Sequence, residues 1–210
     1  MGETLHKRGA DIGDSSVQMK KLSSSIEGVD GFSLKLANLG VKNLKPSKLE
    51  ILQINLGYMC NMTCEHCHVD AGPDRKEMMS HEVLESCLKA VDNTGIHTVD
   101  LTGGAPEMHP EFKWFVEELS KRSVRVIVRS NLTILVSGKK FKTFPQFFAD
   151  NKVVVIASLP CYTKGNTDKQ RGDGAFNNSI KALLVLNELG YGKKESGLEL
   201  DLVFNPGGPS

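Results

Sequence analysis

"LQINLGYMCNMTCEHCHVDAGP", Leu52 to Pro73, places three of the chain's five cysteines within eight residues. Cys60, Cys64 and Cys67 read C-x-x-x-C-x-x-C, and no fourth cysteine follows nearby. The apolar run "LEILQINLG" leads directly into them and ends at Gly57, the pattern of a strand that stops where a loop begins. A cysteine loop at the carboxyl end of a strand is where α/β folds put their ligand sites.

The same alternation continues outward. "SHEVLESCLKAVDNTG" sets Val83, Leu84, Cys87, Leu88 and Val91 on one helical face, with Ser80 as N-cap and Gly95 as stop. The strand "HTVDL" and the turn "TGGAPEMHP" follow, and Pro110 opens a helix carrying Phe112, Phe115, Val116 and Leu119. "SVRVIV" reads as a strand running into "RSNLT", and 138–151 as a loop with a short helix at "PQFFAD". "KVVVIASL" is β-branched throughout, as in a strand covered on both faces. The helix "GAFNNSIKALLVLNELG", stopped by Gly190, and the strand "LELDLVF" complete the series.

Five strands alternate with helices and show no hairpin signal, so the fold class is α/β with a parallel sheet, either open or curled into a barrel. Each strand ends in unusual sequence: the cysteine loop, Thr102-Gly103-Gly104, Ser130-Asn131, Pro160-Cys161 and Asn205-Pro206-Gly207-Gly208. Residues 1–47 are Gly-, Ser- and Lys-rich with broken periodicity, and are expected to be disordered or peripheral; the core domain spans 48–210.

Composition narrows the function. With 210 residues, 40% hydrophobic and 24% charged, the chain has the make-up of one ordinary globular domain. A formal net charge of +1 gives no electrostatic footprint for nucleic acid or a membrane surface. No apolar run approaches the roughly 20 residues of a spanning helix. The start, "MGETLHKRGADIGDSS", lacks the apolar core of a secretory signal, so a cytoplasmic or organellar location is expected. An odd, clustered cysteine set suits metal binding in a reducing compartment better than disulfides.

Several centres could use these cysteines. Zinc would need His66 or His68 as a fourth ligand. Cys64 to His68 also spells C-x-x-C-H, the haem-attachment pattern, which normally accompanies export. A redox pair of Cys64 and Cys67 leaves Cys60 without a role. Three cysteines on one loop best suit a 4Fe–4S cluster whose fourth iron keeps an open position, with zinc as the alternative.

On these residues the chain resembles the radical S-adenosylmethionine (SAM) superfamily. "CNMTCEHCHVDAGP", "DLTGGAPEMHP", "RSNLTIL", "SLPCYT", "QRGDGAFNNSIKALLVLNELGYG" and "LVFNPGG" are similar, more narrowly, to the arsenosugar-biosynthesis radical SAM proteins. The resemblance implies a partial (β/α) barrel of about five parallel strands with helical crossovers. It also implies a 4Fe–4S cluster on Cys60, Cys64 and Cys67, and SAM chelated to the open iron and cleaved to a 5′-deoxyadenosyl radical. The implied partners are a small-molecule substrate, such as a methylated arsenic compound, and an electron donor such as a ferredoxin or flavodoxin.

The implied SAM contacts are His66 beside adenine, Gly103, Gly104 and Glu107 at the amino group, and Arg129, Ser130 and Asn131 at ribose and carboxylate. Ala105 and Pro106 separate Gly104 from Glu107, a departure from the family's Gly-Gly-Glu segment. Cys161 is expected at the barrel mouth as a thiolate for a thiophilic substrate, and Cys87 in the core. The family's core has six strands and a further C-terminal domain, so the chain reads as truncated at its C-terminus. The alternative function is a non-catalytic iron–sulfur or zinc-binding interaction module.

Overall fold

The structure, a computed structural model, describes residues 3–24, 28–41, 44–45, 47–65 and 67–205. The chain forms two compact units, Leu5–Leu49 and the remainder. Leu5–Leu49 holds a 3-10 turn, Asp11–Gly13, and two helices, α1 Ser15–Leu22 and α2 Phe32–Asn38. Asp14 caps α1 by accepting from the Ser16 and Val17 amides. Neither helix buries a residue.

The second unit is built on five strands: β1 Ile51–Asn55, β2 Thr98–Thr102, β3 Arg125–Ser130, β4 Val154–Ser158 and β5 Leu200–Val203. All neighbouring pairs are parallel and the spatial order is the chain order, β1-β2-β3-β4-β5. Right-handed crossovers that always step the same way put every helix on one face of the sheet. A doubly wound sheet reverses its order midway, and this one does not. The open question between the two forms is thereby settled for a partial barrel.

Five helices accompany the strands: α3 His81–Thr94, α4 Phe112–Lys121, α5 Phe144–Asp150, α6 Lys164–Arg171 and α7 Ala175–Glu188. Gly95 ends α3 in the left-handed conformation, as its sequence position suggests. Leu84, Leu88 and Val91 of α3, Phe112, Phe115 and Leu119 of α4, and Phe148 of α5 are buried in one core with Ile54, Val99, Val126 and Val155. Burying each large apolar side chain contributes about 1.5–3 kcal/mol, so this helix-facing layer is the main source of stability.

The opposite face of the sheet is mixed, with polar side chains set among Ile127, Val154, Ile156 and Val203. The period of two that turns Val99 and Leu101 toward the helices turns Gln53, Asp100, Thr102, Arg129 and Ser158 the other way. Gln53 Nε2 donates to Asp100 Oδ2 at 2.8 Å, and Arg129 grips the same carboxylate through Nε and Nη2 at 2.8–3.0 Å. Such polar groups on an inner face make it a ligand surface rather than a packing surface. No helix among the described residues is long and apolar enough to cross a membrane.

α6 has no counterpart in the sequence reading. "KGNTDKQR" lacks an apolar stripe, so periodicity cannot find it. It is held by polar contacts: Thr167 Oγ1 donates to the Cys161 carbonyl, and Lys164 Nζ pairs with Asp168 at 2.7 Å.

Candidate functional site

The cysteine loop leaves β1 and is stitched back at both ends. Tyr58 N–H donates to Glu77 O, Gly72 N–H to Tyr58 O, and Cys60 N–H to Gly72 O, at 3.0–3.2 Å. Arg75 clamps the distal end, donating to the Asp70 carbonyl at 2.8 Å while pairing with Asp70 and Glu77. A third tie, Glu65 N–H to Gln170 O at 3.2 Å, fixes the middle of the loop to the end of α6.

Gly103 and Gly104 support this loop from beneath. Gly104 N–H donates to Gly57 O and Ala105 N–H to Met59 O, both at 2.9 Å. A Cβ on Gly103 would lie 2.5 Å from Gly57 O, and one on Gly104 would collide with the Met59 carbonyl. Gly103 also has a φ of 140°, which other residues rarely adopt. The two glycines therefore admit the close approach of the cysteine loop's own backbone.

Cys60, Cys64 and Cys67 line one cavity of about 370 Å³ at the carboxyl ends of the strands. Gly103, Gly104, Arg129 and Asn131 line it as well, and so do the strand-end residues Thr102 and Ser158. His66 lies outside the described residues. His68 borders the cavity but is exposed. Among the described residues no three His, Cys, Asp or Glu side chains converge as a single-ion site. A 4Fe–4S cluster takes one thiolate per iron, and three cysteines lining one cavity can supply three.

Burial pushes the Cys60 thiol up to about 11, reinforced by Cys64 and Cys67 and opposed by the Met62 amide and Asn131. Burial also raises Cys64, against the pull of the Arg171 charge. Cys60 and Cys64 therefore hold their protons in the metal-free chain, and binding iron must release them. Two N–H groups already point at the sulfurs: Ala71 N–H reaches Cys67 Sγ at 3.2 Å, and Asn131 Nδ2 reaches Cys60 Sγ at 3.5 Å.

Three expected site residues sit elsewhere. Ser130, on the helix-facing side of β3, is fully buried and donates to Glu107 Oε1 at 2.6 Å. Glu107, 1% exposed, lies in the 3-10 turn Pro106–Met108; Ala105 and Pro106 carry it beneath β3 rather than into the cavity. Pro160 lines the cavity, but Cys161 does not: its sulfur meets Thr163 Oγ1 at 3.4 Å and Asn166 Nδ2 at 3.6 Å, at the start of α6. Those bonds, Thr163's first, hold its thiol below the ordinary value.

The Glu107 placement has a measurable consequence. Burial lifts its carboxyl to about 7, above the unfolded value of 4.5. Between those values the folded state holds the extra proton, so stability is complete below pH 4.5 and is lost as pH rises through 7. A difference of this size corresponds to about 3 kcal/mol. Glu107→Gln should remove that loss, making the variant the more stable protein at pH 8 and not at pH 4.5. Denaturant titrations at the two pH values check it; equal losses in both proteins would contradict the placement.

The sequence reading missed Arg171. It ends α6, lines the same cavity, and places its charge where it acts on all three cysteines. A single arginine in a polar stretch gives no signal of this kind.

Residues 54–194 match the model of the Radical SAM superfamily. The antilisterial bacteriocin subtilosin biosynthesis protein AlbA of Bacillus subtilis (strain 168) is 27% identical over 138 residues, covering 64% of this chain and 30% of AlbA. Streptococcus suis SuiB, solved with the precursor peptide SuiA, gives a TM-score of 0.60 at 18% identity, over 93% of this chain and 44% of that one. The structure of anSMEcpe with bound AdoMet gives 0.58 at 20% identity, over 75% and 43%. The chain thus spans about a third of AlbA and under half of the two solved chains. The match over residues 54–194, joined to a partial barrel whose first strand ends in three cysteines, shows that the chain belongs to the radical SAM superfamily.

Proposed function

We propose that Cys60, Cys64 and Cys67 hold a 4Fe–4S cluster, and that SAM binds beside it against the inner face of the barrel. The observation that carries this reading is that the three cysteines share one cavity with Gly103, Gly104, Arg129 and Asn131. Held by Cys60, Cys64 and Cys67, the cluster would supply the one-electron reduction that cleaves SAM to a 5′-deoxyadenosyl radical.

The chain's own residues bind and orient. Arg129 commits Nε and Nη2 to Asp100, which fixes the guanidinium plane and leaves Nη1 for a carboxylate oxygen. Thr102 and Ser158 bring hydroxyls to the same wall, where they suit ribose oxygens. The electron comes from a low-potential donor such as a ferredoxin or flavodoxin in a reducing compartment. Anaerobic reconstitution with iron and sulfide, then reduction with SAM, should release 5′-deoxyadenosine detectable by mass spectrometry. A loaded cluster that leaves SAM intact would contradict the reading.

The finer reading is transfer of the deoxyadenosyl group to a methylated arsenic compound, a small-molecule substrate. Its support is the sequence resemblance; Cys161, a soft sulfur suited to arsenic, lies outside the cavity but adjoins Pro160, which lines it. Its test is Cys161→Ala: 5′-deoxyadenosine release should persist while adenosylation of the arsenic substrate is lost. Unchanged adenosylation would remove Cys161 from the chemistry.

A further inference from the structure

We propose that Arg171 is the counter-charge of the cluster and, together with the Asn131 amide, sets its reduction potential. This rests on the cluster reading above. Arg171 Nε and Nη1 are buried and meet no acceptor among the described residues. Asp168 and Asp173 line a neighbouring pocket with Arg171, but neither accepts from its buried Nε or Nη1, and Asp168 is already committed to Lys164 Nζ at 2.7 Å and Phe176 N–H at 2.9 Å. Two buried guanidinium nitrogens without acceptors are costly to desolvate, and an anion held in the cavity would satisfy them.

The fold brings that anion to the cysteines. The Glu65–Gln170 backbone bond ties the end of α6 to the loop between Cys64 and Cys67. The Arg171 charge acts on Cys64, Cys60 and Cys67. Once three thiols become thiolates around a dicationic iron–sulfur core, the assembly carries one net negative charge, and one-electron reduction adds a second. A fixed cation beside it stabilises the reduced state more than the oxidised one, which raises the potential.

Asn131 acts in the same direction. Its Oδ1 accepts from Ile134 N–H and Thr133 Oγ1, both at 3.0 Å, which fixes which end of the amide is oxygen. Nδ2 is then held between Asn61 Oδ1 at 2.8 Å and Cys60 Sγ at 3.5 Å. Hydrogen bonds to ligand sulfurs lower the energy of the more negative cluster. Asn131 is thus a positioning and tuning residue for the cluster, beyond any contact it makes with SAM.

The experiment is a redox titration followed by electron paramagnetic resonance, without SAM, on reconstituted wild type, Arg171→Gln, Arg171→Lys and Asn131→Ala. Iron and labile sulfide are measured first. At the wild-type midpoint the reduced-to-oxidised ratio of Arg171→Gln should fall at least tenfold, a downward shift of 59 mV for a one-electron couple. Arg171→Lys, which keeps the charge, should stay nearer wild type. Asn131→Ala removes the donor without adding a charge and should also shift downward; if Arg171→Gln fails to load, Arg171→Met takes its place as the charge-removing variant. Loaded variants with the wild-type midpoint overturn the proposal, even if SAM affinity falls, since Arg171 would then serve a group of SAM. A wild-type chain that loads no cluster overturns the cluster reading itself.

Discussion

Cys64→Ala abolishes cluster loading: bound iron after anaerobic reconstitution should fall from about four per chain to less than a tenth of that. Cys64 lies at the middle of the loop, where Cys67 N–H donates to its carbonyl at 3.2 Å and Arg171 lies close by. In the proposed cluster each of the three thiolates holds a separate iron, so none of the others can take over its corner. Because Cys64 is only half-buried, the substitution should change folding stability by no more than about 1 kcal/mol. The loss is therefore a ligand effect and separable from misfolding by circular dichroism. Cys87→Ala is the control: that thiol lies on the core side of α3, and its removal should leave bound iron unchanged. Equal iron in Cys64→Ala and wild type would remove Cys64 from the ligand set.

Gly104→Ala should strongly destabilise the cysteine loop. The new Cβ would collide with the Met59 carbonyl oxygen, and would lie 2.8 Å from the Met59 carbonyl carbon and 2.9 Å from Tyr58 O. All three are backbone atoms, so no side-chain rotation relieves them. Relief requires opening the Gly104–Gly57 and Ala105–Met59 hydrogen bonds, which hold the cysteine loop on the β2 turn. Overpacking and the two lost bonds together give a destabilisation of about 2–4 kcal/mol. Cluster loading should fall with it, since the loop that carries Cys60 moves first. Gly138→Ala, where nothing lies within 4 Å, should change stability by less than about 0.5 kcal/mol. Matching denaturant midpoints for the two variants would show that the Gly-Gly turn does not support the loop.

The strands and most helices were legible because their apolar residues recur at the right period. Leu84, Leu88 and Val91, and likewise Phe112, Phe115 and Leu119, fall on the buried faces that their spacing marks out. The strand order was not legible, since the pattern of one strand says nothing about its neighbours; the unreversed order comes only from the pairing. The cysteine positions were legible from spacing. Glu107 was not, because two inserted residues and a 3-10 turn redirect its side chain under β3. Cys161 lies outside the cavity for a related reason: at a strand end successive side chains point opposite ways, and Pro160 takes the cavity side. Arg171 was silent because its significance lies in what α6 approaches, and α6 itself carries no apolar signature.

The central claim is that three thiolates hold a cluster with one iron open to SAM. The most direct test is electron paramagnetic resonance of the reduced, reconstituted chain, recorded with and without SAM. An open iron beside this cavity predicts a cluster spectrum that changes on adding SAM, in wild type and not with a SAM analogue lacking the amino and carboxylate groups. A cluster spectrum indifferent to SAM, or no cluster spectrum at all, would contradict the account.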